Sequence, residues 1–430
     1  MGEFGRAALT NLPHFSPELR NSNNYTWEMS RQPRQVKAVE ELPQVRSIRY
    51  SSRYLINLIL VFLVLSICVA LIHFFRYPQG WDFRNNLYLP IHLLLQHQSP
   101  YNIHALVDNS NAVWLPMALG LFLPLGYLDL QRASNLWWLI NFGALFALVF
   151  ITAGHRKPSL LKLIPITFFV YLFPSTIAHL NLGQISILIC LALVVIIFFE
   201  KQMPAWSTGF LLAFALTKPQ LVLIFIPAYF LKIQRERGWV ALWKLGLWTL
   251  AGVVIFSSPV LVVQPDWFRD FFLNLWINPP WAHPTIYVLV FSSLGMIGQV
   301  FGWIYFCTGL LFALYYTTRV GNKESLLWAL ALTPVISPYI WSWDFVFLYP
   351  LIAYSLFKEK DRFKMILILS GNLLVLVGYI AQKLTGQVDE ILSWWVPWGL
   401  IAVTLIVHFL PESIGNFSKS PGWSFWRVRR

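Results

Sequence analysis

The sequence predicts an all-α protein that crosses a membrane about twelve times. Three observations predict it. The 430 residues are 57% hydrophobic and only 12% charged, where soluble domains carry about 25% charged residues. Apolar runs of about 18 residues or more recur along most of the length, each long enough to span a bilayer. The basic residues also fall unevenly on the resulting loops, 23 of 32 on one side. That is the bias expected of cytoplasmic loops.

Taken in order, residues 1–54 form a basic, Pro- and Asn-containing tail, read as cytoplasmic and without a fixed fold. No cleavable leader is expected, since the first long apolar run, 55–75, begins far beyond the usual position. A polar loop follows, then the expected spans 112–128, 134–153, 163–178, 185–199, 205–231 and 245–263. A second polar-aromatic loop runs to Pro284, and 285–297 is short enough to be re-entrant. The spans 300–317, 326–340, 345–357, 365–381 and 391–410 close the membrane domain 55–410. Residues 411–430 form a second cytoplasmic tail, so both termini lie inside. His155, Arg156 and Lys157 strain this arrangement, because they land outside.

The first loop carries the strongest local pattern. In WDFRNNLYLPIHLLLQHQSPY, residues 81–101, an acid stands between two aromatics at Trp81, Asp82 and Phe83. Leu87, Ile91, Leu94 and Leu95 then repeat at helical spacing. The pattern predicts an amphipathic helix in the first extracytoplasmic loop, lying on the membrane surface with its stripe in lipid. Arg84, Asn85, His92 and Gln96 take the other side. Asp82 would then sit at the boundary, where partial desolvation makes a carboxylate a stronger base. An ordinary interfacial acid remains the plainer alternative.

Lys218 stands inside the expected span 205–231, in Thr217-Lys218-Pro219. A cation there costs roughly 2.5–3.5 kcal/mol on insertion scales and is kept for a partner or a function. It either meets a phosphate or a buried acid, or it caps a carbonyl freed by Pro219. The second loop mixes Asp266, Trp267, Arg269, Trp276, Asn278, Trp281 and His283. Such a mixture suits a sugar or a phosphate, and it equally suits an aromatic belt. Cys68, Cys190 and Cys307 all lie in apolar runs, which argues against disulfides and thiolate metal sites. The net charge of +13 reflects orientation in the bilayer, and no nucleic-acid partner is expected.

With these residues named, the chain resembles the C-type integral-membrane glycosyltransferases, and within them glycosyltransferase family 87. The resemblance rests on Asp82-Phe83, Tyr88 and Pro100-Tyr101, then Asn181-Leu182-Gly183-Gln184, Thr217-Lys218-Pro219, and Ser337-Pro338 with Ser342-Trp343. Two departures stand out. Gln96-His97-Gln98 replaces a glycine before Pro-Tyr, and Asp344-Phe345 stands where the family carries histidine after Ser-Trp. The resemblance implies an inverting enzyme that moves mannose or another hexose or pentose from a polyprenyl-phosphate carrier to a lipid or glycan acceptor. It implies Asp82 as general base. The residues implied to bind substrate are Arg84, Tyr88, Tyr101, Gln184, Lys218, Arg269, His283, Trp343 and Asp344, with His283 or Asp344 replacing the histidine. No metal and no cofactor is expected. The rival expectation is a transporter or lipid flippase that uses Lys218 and an acid as a coupling pair; a non-catalytic scaffold of an envelope complex is a third.

Overall fold

A computed structural model describes residues 80–107, 111–154, 160–277, 283–386 and 389–410, with Asn57, Val61, Val64 and Cys68 as isolated helical positions. The two tails, the rest of the first apolar run, Asp108, residues 155–157, Asn278 and Trp281 lie outside the described residues. The chain divides into the units Met1–Ser52 and Arg53–Arg430, and every described residue belongs to the second. Among the described residues all regular structure is helical.

Among the described residues five helices are long and apolar enough to cross a membrane: Leu130–Ala153, Phe225–Val263, Ile286–Val320, Arg362–Leu384 and Glu390–Phe409. A sixth span forms if the pair Lys162–Leu172 and Pro174–Leu182, bent by 56°, counts as one. The bend falls at Phe173, where Pro174 starts the second helix. Thr176 Oγ1 donates to Val170 O at 2.6 Å, which satisfies a carbonyl left at the bend. Helix starts follow side-chain capping: Asp129 accepts from Arg132 N, Thr285 from Val288 N, and Asn322 from Ser325 N. In the most apolar windows of Phe225–Val263 and Ile286–Val320 only 22% and 17% of residues are buried. Their exposed faces carry Trp239, Val240, Met296 and Phe301, as lipid-facing helices do.

The expected short segment 285–297 and span 300–317 instead form one helix, Ile286–Val320, kinked at Gly295, and three further corrections bear on the site. Residues 112–128 do not form a membrane helix. They hold the short helix Pro116–Leu121 and a 3-10 turn, Leu123–Tyr127. Ala112 O accepts from Asn274 Nδ2 at 3.2 Å, and Leu128 O accepts from Tyr88 Oη at 2.8 Å. Both ends of the stretch are therefore tied to the loops around Asp82. Second, 205–231 is not continuous: helix Ala205–Ala215 stops, a 3-10 turn Pro219–Leu221 follows, and helix resumes at Phe225. Third, the amphipathic stripe faces protein. Leu87 and Ile91 are fully buried and Leu94 nearly so, and Gly126 sits against Ile91 and Leu95. Hydrophobic periodicity reads the same whether the apolar partner is lipid or another helix.

These corrections relocate the charges. Lys232 Nζ lies 2.9 Å from Glu200 Oε2 and Arg237 Nη2 lies 2.8 Å from Glu200 Oε1. Arg235 donates to Thr318 O at 2.6 Å, Lys323 to Phe198 O at 3.0 Å, and Lys358 pairs with Glu324 at 2.5 Å. One basic face thus gathers the turns after 199, 320 and 358 and the 232–237 part of helix Phe225–Val263. Glu200 belongs to this basic face. Gly154 packs near Phe198, and Lys162 donates to Leu356 O at 3.0 Å. Gly154 and Lys162 therefore lie near the ends of the segments that carry the basic face. Leu130–Ala153 starts beside Tyr88, whose hydroxyl donates to Leu128 O.

Two glycines bring the chain segments of the Asp82 end together. A Cβ on Gly80 would lie 2.6 Å from Leu182 O, and one on Gly183 would lie 2.5 Å from Phe83 Cβ. Gly183 also has a left-handed backbone, φ 71°, which ends its helix and turns the chain toward Gln184. Phe83 stacks on Trp137 at 5.5 Å, and Trp137 Nε1 donates to Gly183 O at 2.8 Å. Gly80→Ala is expected to lower stability by about 1–3 kcal/mol through overpacking. Gly143→Ala, where nothing lies within 4 Å, is the control. Thermal unfolding of both checks this, and equal melting temperatures would contradict it.

Candidate active site

Asp82 lies on the first turn of helix Trp81–Phe83, which runs through a π-helical stretch, Arg84–Tyr88, into Leu89–Leu95. π-Helical turns inside α-helices often mark functional sites. The Asp82 carboxylate is half-buried and held at both oxygens. Oδ1 accepts from Asn86 Nδ2 at 3.0 Å, and Oδ2 accepts from Gln184 Nε2 at 2.5 Å. Asn86 Oδ1 in turn accepts from Val113 N at 3.0 Å, so the post-81 helix and the 112–114 segment hold each other.

The chain of contacts continues inward. Gln184 Oε1 accepts from Lys218 Nζ at 2.5 Å. Lys218 Nζ also reaches Ser186 Oγ at 3.3 Å and Asp344 Oδ1 at 3.7 Å. Ser186 Oγ donates to Asp344 Oδ1, and Asp344 Oδ2 accepts from Trp341 N at 3.1 Å. Lys218 lies over the Trp114 ring at 5.8 Å. It occupies the break between Ala205–Ala215 and Pro219–Leu221, with φ −126° and ψ 84°, and not a continuous span. Its ammonium donates to side chains, so of the alternatives open for it the buried acid is the one found, and carbonyl capping is not.

Four of the ten predicted site residues therefore form one connected network: Asp82, Gln184, Lys218 and Asp344. The others separate. Arg84 Nε donates to Asn85 Oδ1 at 2.9 Å and its guanidinium lies over Trp81 at 4.9 Å. It pairs with no acid among the described residues and sits two residues from the carboxylate. His283 is buried between Tyr339 and Trp341, at ring distances of 4.0 and 4.3 Å. Trp343 stacks on Trp341 at 4.6 Å. This Tyr339–Trp343 segment carries Asp344, so the end of the second loop joins the same wall. Tyr88 and Tyr101 do not reach the network. Their hydroxyls bond to Leu128 O at 2.8 Å and Trp114 O at 3.2 Å, and Tyr101 packs on Phe271. Arg269 is exposed on helix Trp267–Ile277. That helix docks on the first loop through Ser99 Oγ to Asp270 Oδ2, 2.9 Å, and Asn274 Nδ2 to Tyr101 O, 2.8 Å.

Burial raises the Asp82 carboxyl from 3.8 to about 6. Lys218 and the Gln184 hydrogen bond pull it back, Asp344 pushes it up, and Asn86 lowers it a little. Asp82 is thus ionised near pH 7 yet far more basic than a free aspartate. Burial moves His283 the other way, down to about 4. It is neutral at pH 7. Sequence reading missed Asn86, Ser186, Trp114 and Trp341. Asn86 had a signal, being four residues after Asp82 on one helix face. The other three are brought in only by the fold.

The described residues thus form a helical membrane protein in which a half-buried carboxylate, an amide and a buried lysine–acid pair are joined in one network. Residues 115–279 match the model of glycosyltransferase family 87, which supports a glycosyltransferase family 87 membrane protein and bears out the resemblance. The matched segment contains Gln184, Lys218 and Arg269; Asp82, Arg84, Tyr88, Tyr101, His283, Trp343 and Asp344 lie outside it. No curated protein matches the chain.

Proposed function

We propose that this protein is an inverting glycosyltransferase that uses a polyprenyl-phosphate sugar as donor. The sugar is mannose or another hexose or pentose, and the acceptor is a lipid or glycan at the extracytoplasmic face of the cell membrane. Both termini are then cytoplasmic. The observation that carries the reading is the half-buried Asp82, held by Gln184 and Asn86 above the buried Lys218–Asp344 pair.

In this reading an acceptor hydroxyl oxygen attacks the anomeric carbon while Asp82 takes the hydroxyl proton. The bond from that carbon to the phosphate oxygen breaks, and its electron pair leaves with polyprenyl phosphate. The developing charge on the sugar ring resembles that of glycoside hydrolysis. Lys218 spends its donors on Gln184, Ser186 and Asp344, so it fixes the network's charge. Arg84, half-buried beside Asp82 and without an acid partner among the described residues, is the cation that meets the leaving phosphate. Trp343 and Arg269 remain peripheral binding groups, one on the site wall and one on the second loop.

The pH dependence follows from Asp82. A base with its carboxyl raised to about 6 is ionised and active above that pH and protonated below it. Initial rates of radiolabelled mannose transfer from polyprenyl-phosphate mannose should therefore fall as pH drops through about 6. A profile flat down to pH values near 4, the ordinary carboxylate range, would contradict the assignment. The breaks at Phe173 and Lys218 are of a kind that transporters use at their binding sites, and they favour the rival reading. Reconstituted protein that moves a sugar lipid across vesicles without glycosyl product would establish that rival.

A further inference from the structure

We propose that Gln184 is a positioning residue: its side-chain amide joins the base Asp82 to the buried cation Lys218. The inference rests on the transferase reading for its purpose, and on geometry for its substance. An ammonium only donates and an ionised carboxylate only accepts. One orientation of the amide serves both, with Oε1 on Lys218 Nζ at 2.5 Å and Nε2 on Asp82 Oδ2 at 2.5 Å. Every hydrogen-bonding direction in the chain from Lys218 to Asp82 is then fixed.

The position is built for this. Gly183 turns the backbone at φ 71°, and Gln184 is buried, with its N–H donating to His179 O at 3.1 Å. The amide oxygen meets Lys218 and the amide nitrogen meets Asp82, both inside the protein, so the role of Gln184 is exercised through Asp82. The charged and titratable groups around the carboxylate are Lys218 beyond the amide, Asp344 on the 342–348 turn, Tyr339 on the same wall, and Arg84 on its own helix. Polarised by the ammonium on its oxygen, the amide presents a stronger donor to the carboxylate. It stabilises the ionised base without placing the cation in contact with it, which keeps Asp82 able to accept a proton.

The test reads Asp82 directly and needs no sugar substrate. Full-length protein in phosphatidylcholine vesicles is titrated by difference infrared spectroscopy, with the Asp82 band identified by its loss in Asp82→Asn. The wild-type midpoint is expected near 6. Gln184→Leu removes the donor and should raise the midpoint by about one pH unit. Gln184→Glu preserves size and the Lys218 contact, replaces the donor by an anion, and should raise it further. A packing role alone would leave the midpoint in place. A midpoint at or below wild type in either folded variant overturns the proposal. Failure of the transferase reading is seen separately, as undiminished transfer by Asp82→Asn while the midpoint shifts persist.

Discussion

Asp82→Asn is expected to lower sugar transfer about a hundred- to ten-thousand-fold, the usual contribution of a general base. The replacement is nearly isosteric, and its carbonyl oxygen can still accept from Gln184 Nε2. Its amide nitrogen then faces Asn86 Nδ2, the donor that now bonds Asp82 Oδ1 at 3.0 Å. Asn86 is held by Val113 N at its own oxygen, so it does not flip freely. A modest loss of stability is therefore expected beside the large loss of rate. Asp82→Glu should also be impaired, because positioned groups are sensitive to shifts of about 1 Å. The control is Asp266→Asn, at an exposed position on the second loop. Asp344 cannot serve as one, since it is buried in the same network. Steady-state transfer with the three variants decides the matter: wild-type turnover by Asp82→Asn would end its assignment as base.

Lys218→Met should cost both activity and stability. The lysine and Asp344 are buried, with side-chain exposures of 8% and 1%, and no other cation is paired with Asp344 among the described residues. Removing one member of a buried ion pair typically costs about 3–5 kcal/mol, because the remaining charge is stranded. Ser186 and the Trp341 N–H still serve the carboxylate, which places the effect at the lower end of that range. Adding Asp344→Asn to Lys218→Met should restore part of the melting temperature, since the stranded charge is then gone. A Lys218→Met protein as stable as wild type would mean that the pair is not coupled in the folded protein.

The site residues were legible singly and illegible as a set. Asp82 stood out by its place after an apolar run, Lys218 by its cost inside one, and Gln184 and Asp344 through the family resemblance. Their connection was not readable, because Asp82 and Gln184 are 102 residues apart and Ser186 and Asp344 are 158 apart. Loop closures of that length depend on tertiary packing and leave no local signal. Tyr88 and Tyr101 show the reverse error. Both belong to the family motif, yet their hydroxyls bond to backbone carbonyls and shape the loop. Residues 112–128 were apolar enough to read as a span, but hydropathy does not register hydrogen bonds from Tyr88 and Asn274 that hold both ends on one side. The all-helical class and the long helices were legible because twenty apolar residues in a row have few other uses.

The central claim is that the Asp82 network is where a lipid-linked sugar reacts. A density map of the protein with polyprenyl-phosphate mannose bound tests it most directly. The account predicts the phosphate beside Arg84, the anomeric carbon facing Asp82, and the sugar along the Tyr339–Trp343 wall. The competing location is the apolar groove of about 210 Å³ between Leu160–Leu172, Tyr349–Lys358 and Arg362–Leu384, lined by Phe168, Leu172, Ile352 and Leu376. A lipid bound with its phosphate and sugar there, and nothing facing Asp82, would contradict the account.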